Sequence, residues 1–152
     1  MHVDINQPID KIIESIVDDT LPLVSSLANV SSILYSYFKN VSWAGFYLKK
    51  EDEDVLYLGP FQGGLACTLI PFGKGVCGTS ALKRESILVE DVTKFAGHIA
   101  CSSTSRSEMV VPLLKNDKVF GVIDLDSDEL NNFTAEDIKN LEVVASILSK
   151  LF

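Results

Sequence analysis

Met109-Val-Val-Pro-Leu-Leu-Lys-Asn-Asp-Lys-Val-Phe-Gly-Val-Ile-Asp-Leu-Asp126 is the stretch on which the reading of the fold turns. Two apolar runs, Met109 to Leu114 and Val119 to Leu125, flank Lys115-Asn-Asp-Lys118. Asn-Asp suits a two-residue turn that needs positive φ, so the segment predicts an antiparallel hairpin. Along its second strand Phe120, Val122, Asp124 and Asp126 share one face, and Val119, Gly121, Ile123 and Leu125 the other. Two carboxylates on a face that begins with Phe and Val are either the exposed end of an edge strand or part of a site.

The residues just upstream favour attention to that face. Gly97 to Glu108 sets Cys101 in a run of small hydroxyl side chains and ends on a third acid, Glu108. Ser and Thr in such density bond to their own backbone and predict an irregular loop that leaves room for close approach. If Glu108, Asp124 and Asp126 converge at one end of the hairpin, their repulsion raises at least one pKa, which suits proton donation or the holding of a cation. Trp43 and Tyr47, two apart in a period-two segment, are either core or an aromatic wall beside those acids, as an ammonium- or sulfonium-like ligand would favour.

Working outward, residues 9 to 24 carry Ile9, Ile12, Ile13, Ile16 and Val17 at helical spacing, with Pro22 kinking or ending the helix. A second helix is predicted over Asn29 to Lys39. Strands follow from Val41 to Leu48 and Val55 to Leu58, joined across the acidic turn 51–54, with Gly59-Pro60 ending the pair. Leu65 to Ile70 reads as a short strand containing Cys67. A Gly-rich loop then carries Cys77 into a short helix from Thr79 to Lys83, and Ile87 to Glu90 reads as a strand. That loop lacks the spacing of a phosphate cradle. Thr134 and Asp137 form a capping-box signature, with Phe133 stapled to Ile138, opening a helix that runs to the C-terminus. The order predicts an α+β domain spanning 1–152: a central antiparallel sheet, terminal helices packed on one face, and a loop-rich pocket on the other.

At 152 residues with 47% hydrophobic content, the chain can bury a core without disulfide staples. A net charge of -8 opposes nucleic acid and anionic membrane surfaces as partners. The N-terminus carries no basic, apolar leader pattern and no apolar run reaches bilayer length, so a cytoplasmic location is expected. Three cysteines, with no Cys-x-x-Cys pair, argue against a structural disulfide framework. Joining His98 to Cys67, Cys77 and Cys101 as a zinc site fails on spacing, since no two ligands are close in sequence. A thiol relay fits better, because a sulfenic acid on one cysteine is resolved by another.

Gly59-Pro-Phe-Gln-Gly63, Ala66-Cys-Thr-Leu-Ile70, Gly73-Lys-Gly-Val-Cys-Gly78, Gly97-His-Ile-Ala-Cys101, Ser105-x-Ser-Glu108 and Gly121-Val-Ile-Asp-Leu-Asp-Ser127 together resemble the GAF-domain free methionine-R-sulfoxide reductases. The resemblance implies a GAF-like fold and thiol-dependent reduction of free methionine-R-sulfoxide, with no cofactor and no metal. It makes Cys101 the attacking thiol and Cys67 the resolving partner, with Cys77 attacking, resolving or assisting. Trp43 and Tyr47 match the wall around the substrate methyl group, and Glu108, Asp124 and Asp126 the acids of the pocket. A thioredoxin-like dithiol is the implied reductant. The apolar terminal helices suit a homodimer as readily as a monomer's core. Ser102 stands where Asp is expected after the attacking cysteine, and Ala96 where Pro is common; neither removes a functional group. The alternative is a non-catalytic GAF ligand sensor, indifferent to replacement of its cysteines.

Overall fold

The computed structural model describes residues 2–99 and 101–152. Two helices, α1 (Ile9–Ile16) and α2 (Leu23–Tyr37), precede a sheet of six strands: β1 (Trp43–Lys49), β2 (Val55–Gly63), β3 (Leu69–Pro71), β4 (Ile87–Val89), β5 (Ser107–Lys115) and β6 (Lys118–Ser127). A helix α3 (Gly75–Lys83) joins β3 to β4, and α4 (Ala135–Ser149) closes the chain. All pairings are antiparallel, and the strands lie in the order β3-β2-β1-β6-β5-β4.

The β5–β6 hairpin forms as expected. Asn116 and Asp117 both adopt positive φ, 52° and 62°, and Lys115 pairs with Lys118, the geometry a two-residue turn requires. Because β6 also pairs with β1, its alternating side chains serve two cores. Ile123 and Leu125 join Ala44, Phe46, Met109, Val111 and Leu113 beneath α1, α2 and α4. Val122 joins Trp43, Tyr47, Val110 and Cys77 on the opposite face, which α3 covers. The terminal helices thus pack on one face, and the loop-rich pocket lies on the other.

Local chemistry explains where the helices and strands depart from the expected bounds. The first helix stops at Ile16 because Asp18 folds the chain into a turn, accepting from the Thr20 amide at 2.9 Å and the Thr20 hydroxyl at 2.6 Å. Pro22 then caps α2 rather than kinking α1, since its missing N–H costs nothing at a helix start. Strand β2 runs through Gly59-Pro60 instead of ending there. The β1–β2 register shifts between Gly45 and Tyr47, so the proline falls in a bulge where it removes no ladder bond. The next segment is mostly loop: only Leu69–Pro71 pairs, leaving Cys67 outside any strand. Helix α3 begins earlier than expected, at Gly75, and so carries Cys77 on its first turn.

At α4 the capping box is complete. Thr134 accepts from the Asp137 amide at 3.1 Å, and the Asp137 carboxylate accepts from the Thr134 amide at 2.9 Å. Among the described residues no helix is long and apolar enough to cross a membrane. Thr134→Ala removes one half of the box and is expected to lower unfolding stability by about 1 kcal/mol in denaturant titration.

Candidate functional site

The register of β6 builds the site. Asp126 stands opposite both Trp43 on β1 and Glu108 on β5, so an indole and two carboxyl groups form one row across three strands. One step along, Asp124 stands opposite Gly45 and Val110, and a further step places Val122 opposite Tyr47 and Pro112. Opposed side chains share a face, so the aromatic pair and the three acids predicted from sequence are neighbours on one sheet surface. Glu108 and Asp124 are 7% and 5% exposed, while Asp126 is partly exposed. Asp124 is therefore not the exposed end of an edge strand: β6 is central.

The aromatic wall is tightly held. Trp43 stacks on Tyr47 at 5.9 Å between ring centroids and on Phe61 at 5.2 Å. Its indole N–H donates to the Gly64 carbonyl at 3.2 Å, and the Tyr47 hydroxyl donates to the Cys67 carbonyl at 3.0 Å. A side chain at position 45 has no room, since a Cβ there would lie 2.8 Å from the Trp43 ring. Both polar tips thus fasten the loop that carries Cys67. Phe61, the third aromatic, was not assigned a role from sequence, although Gly-Pro-Phe-Gln-Gly already marks it.

Cys67 and Cys101 are joined in a disulfide, with their Cα atoms 5.3 Å apart across a sequence separation of 34. Cys77 is free and buried. The loop bearing Cys101 is tied to α3 by the Gly75 amide, which donates to the Gly97 carbonyl at 3.1 Å. Gly75 has φ of 60°, and an added Cβ would press on Ile99 at 3.3 Å, so glycine is required at this junction. The same loop is anchored at its far end, where the Arg106 amide donates to the Ser127 carbonyl at 2.7 Å. In this form Cys67 and Cys101, two members of the zinc set weighed from sequence, are bonded to one another. His98 lines the pocket with Lys74, Ile99 and Ser105.

Electrostatics follow from crowding and burial. Glu108 is pushed well above the usual carboxylate range, first by burial and then by the charges of Asp124 and Asp126. Asp126 is raised well above its ordinary value by burial and by Asp124. Asp124 is raised by burial, with hydrogen bonds from Glu108 and Cys77 opposing the shift. Burial also pushes the Cys77 thiol up. Burial and mutual repulsion therefore favour protonation within this cluster beneath an aromatic wall, which equips it to donate to an oxygen that gains negative charge.

This fold and this side-chain arrangement define a small-ligand domain, and the chain belongs to the GAF-domain family, whose profile matches residues 10–151. Over 128 residues it is 44% identical to the free methionine-R-sulfoxide reductase of Escherichia coli (strain K12), a match covering 84% of this chain and 76% of that protein. The Saccharomyces cerevisiae (strain ATCC 204508 / S288c) protein of the same name is 43% identical over 143 residues, 90% of this chain and 79% of that one. An X-ray structure of the Neisseria meningitidis free methionine-R-sulfoxide reductase in complex with its substrate superposes with a TM-score of 0.86 at 44% identity, covering 95% of this chain and 83% of that one.

The raised acids make stability depend on pH in a definite direction. Each binds its proton more tightly folded than unfolded, so its contribution is fully present below the ordinary values of 3.8 and 4.5 and is lost as pH rises through the folded values. Between about pH 5 and pH 8, Tm is expected to fall with pH, and Glu108→Gln is expected to flatten that fall. Thermal melts across that range check both.

Proposed function

We propose that the chain reduces free L-methionine-(R)-S-oxide to methionine, with Cys101 attacking and Cys67 resolving. The observation that carries this reading is the Cys67–Cys101 disulfide at a pocket lined by Trp43, Tyr47 and three protonatable acids. The relatives named free methionine-R-sulfoxide reductase, similar over most of their length, support it.

In the reduced protein the Cys101 thiolate attacks the sulfoxide sulfur while a protonated acid, with Glu108 the best placed by burial and by its like-charged neighbours, donates to the oxygen. The protonated oxygen then passes from the substrate sulfur to the sulfur of Cys101, the substrate S–O bond breaking as the new one forms, so methionine leaves and Cys101 becomes a sulfenic acid. The Cys67 thiol then displaces it as water and forms the disulfide. In sum, two thiols and one sulfoxide become one disulfide, one thioether and one water, so the substrate sulfur gains the two electrons the thiols lose. A thioredoxin-like dithiol restores the thiols. Trp43 faces the electron-poor sulfur and its methyl group, which an aromatic face favours. A carboxylate of the cluster pairs with the substrate ammonium, a charge that a methionine within a peptide lacks. Cys77, buried on α3 against Asp124, assists from beneath the pocket.

In the disulfide form the pocket is a partly open cleft with about 50 Å³ of water-accessible space, tight for an amino acid. Reduction therefore precedes substrate entry. Calorimetry is expected to show methionine-R-sulfoxide binding to Cys101→Ser in reductant and none to the disulfide form; equal binding to both would overturn this order.

The decisive test is methionine release from separated epimers with a dithiol reductant. The R epimer is expected to turn over and the S epimer not. Cys101→Ser should lose at least about a thousandfold in rate, and full activity in that variant would refute the assignment. Without reductant, Cys67→Ser should release one methionine per chain and leave Cys101 as sulfenic acid; a Cys77–Cys101 disulfide in that variant would transfer the resolving role to Cys77.

A further inference from the structure

Cys77, Glu108 and Asp124 come from α3, β5 and β6 and are all buried. Their Sγ and carboxylate oxygens lie within 4.8 Å of one another, the one group of three such donors among the described residues. Asp124 Oδ1 is buried without a hydrogen-bond partner, an acceptor left open in this pocket. A buried acceptor of that kind costs free energy unless something arrives to bind it. The reductase reading places substrate above these groups and gives the thiol of Cys77, hydrogen-bonded to Asp124, no covalent step of its own.

We propose that Cys77, Glu108 and Asp124 form a binding site for Zn²⁺, with a water from the pocket as fourth ligand. One thiolate and two carboxylates are a donor set that Zn²⁺ accepts, with metal–ligand bonds of about 2.0 to 2.3 Å. Ligand atoms around a tetrahedral ion at that radius are about 3.3 to 3.8 Å apart, so the three groups need close only by about 1 Å. The Cys77 S–H bond breaks as the sulfur–zinc bond forms, and its proton leaves to solvent with any carried by the two acids. No electron moves. Cys67 and Cys101 take no part, being bonded to each other. The ion occupies the position from which the acids would act. On the reductase reading, Zn²⁺ therefore inhibits turnover, and a chelator reverses the inhibition.

The disulfide form gives a clean test, because Cys77 is then its one thiol. Co²⁺, titrated into that form without reductant, is expected to produce a thiolate-to-cobalt charge-transfer band saturating at one equivalent and displaced by Zn²⁺. Cys77→Ser should abolish the band. Asp124→Asn, which keeps the thiol, should weaken Co²⁺ binding by at least about tenfold. Absence of the band in the unsubstituted protein, its survival in Cys77→Ser, or unchanged affinity in Asp124→Asn would overturn the site. The readout involves no turnover. A band without methionine release would therefore refute the reductase alone, and methionine release without a band would refute the metal site alone.

Discussion

Pairing of β6 with β1 on one side and β5 on the other is the constraint on which the molecule depends. It aligns Trp43, Asp126 and Glu108 in one row and sets Asp124 and Tyr47 on the same face. A slip of one residue would turn all of them into the core beneath the helices and bring Ile123 and Leu125 to the pocket. The large apolar face over α1, α2 and α4 opposes such a slip, since Phe46, Met109, Leu113, Ile123 and Leu125 are all fully buried there. The hydrophobic core on one side of the sheet therefore holds the chemistry of the other in register.

That arrangement places carboxyl groups where each disfavours the ionisation of the next. Burial and mutual repulsion cost stability at neutral pH, and the same effects favour protonation of acids that are ionised in water. The site also concentrates its fastenings on two segments. Trp43 and Tyr47 hold the loop of Cys67 through its carbonyls, and Gly75 and Ser127 hold the loop of Cys101 at its two ends. Both thiols ride on loops attached to rigid strands, so they can meet without rearranging the sheet.

Much of this was legible along the chain. The β5–β6 hairpin was written in its alternation and its Asn-Asp turn, and α4 in its capping box. Spacing also put Asp124 and Asp126 on one strand face, and the motifs marked all three cysteines. What misled were punctuation residues whose effect depends on their surroundings. Pro22 starts a helix rather than interrupting one, because Asp18 has already ended the previous helix. Gly59-Pro60 sits in a bulge rather than ending β2, because β1 offers a register shift there.

The sequence by itself determined the composition of the site: thiols, acids and aromatics at fixed spacings, together with the local elements that carry them. Only the tertiary structure decided which of them meet. Cys67 and Cys101 are 34 residues apart and become bonded, while Cys77, nearer to Cys67 in the chain, turns under the pocket toward Glu108 and Asp124. Periodicity specifies which way a side chain faces within its own element. Proximity between elements comes from strand order and loop closure, which local spacing does not encode.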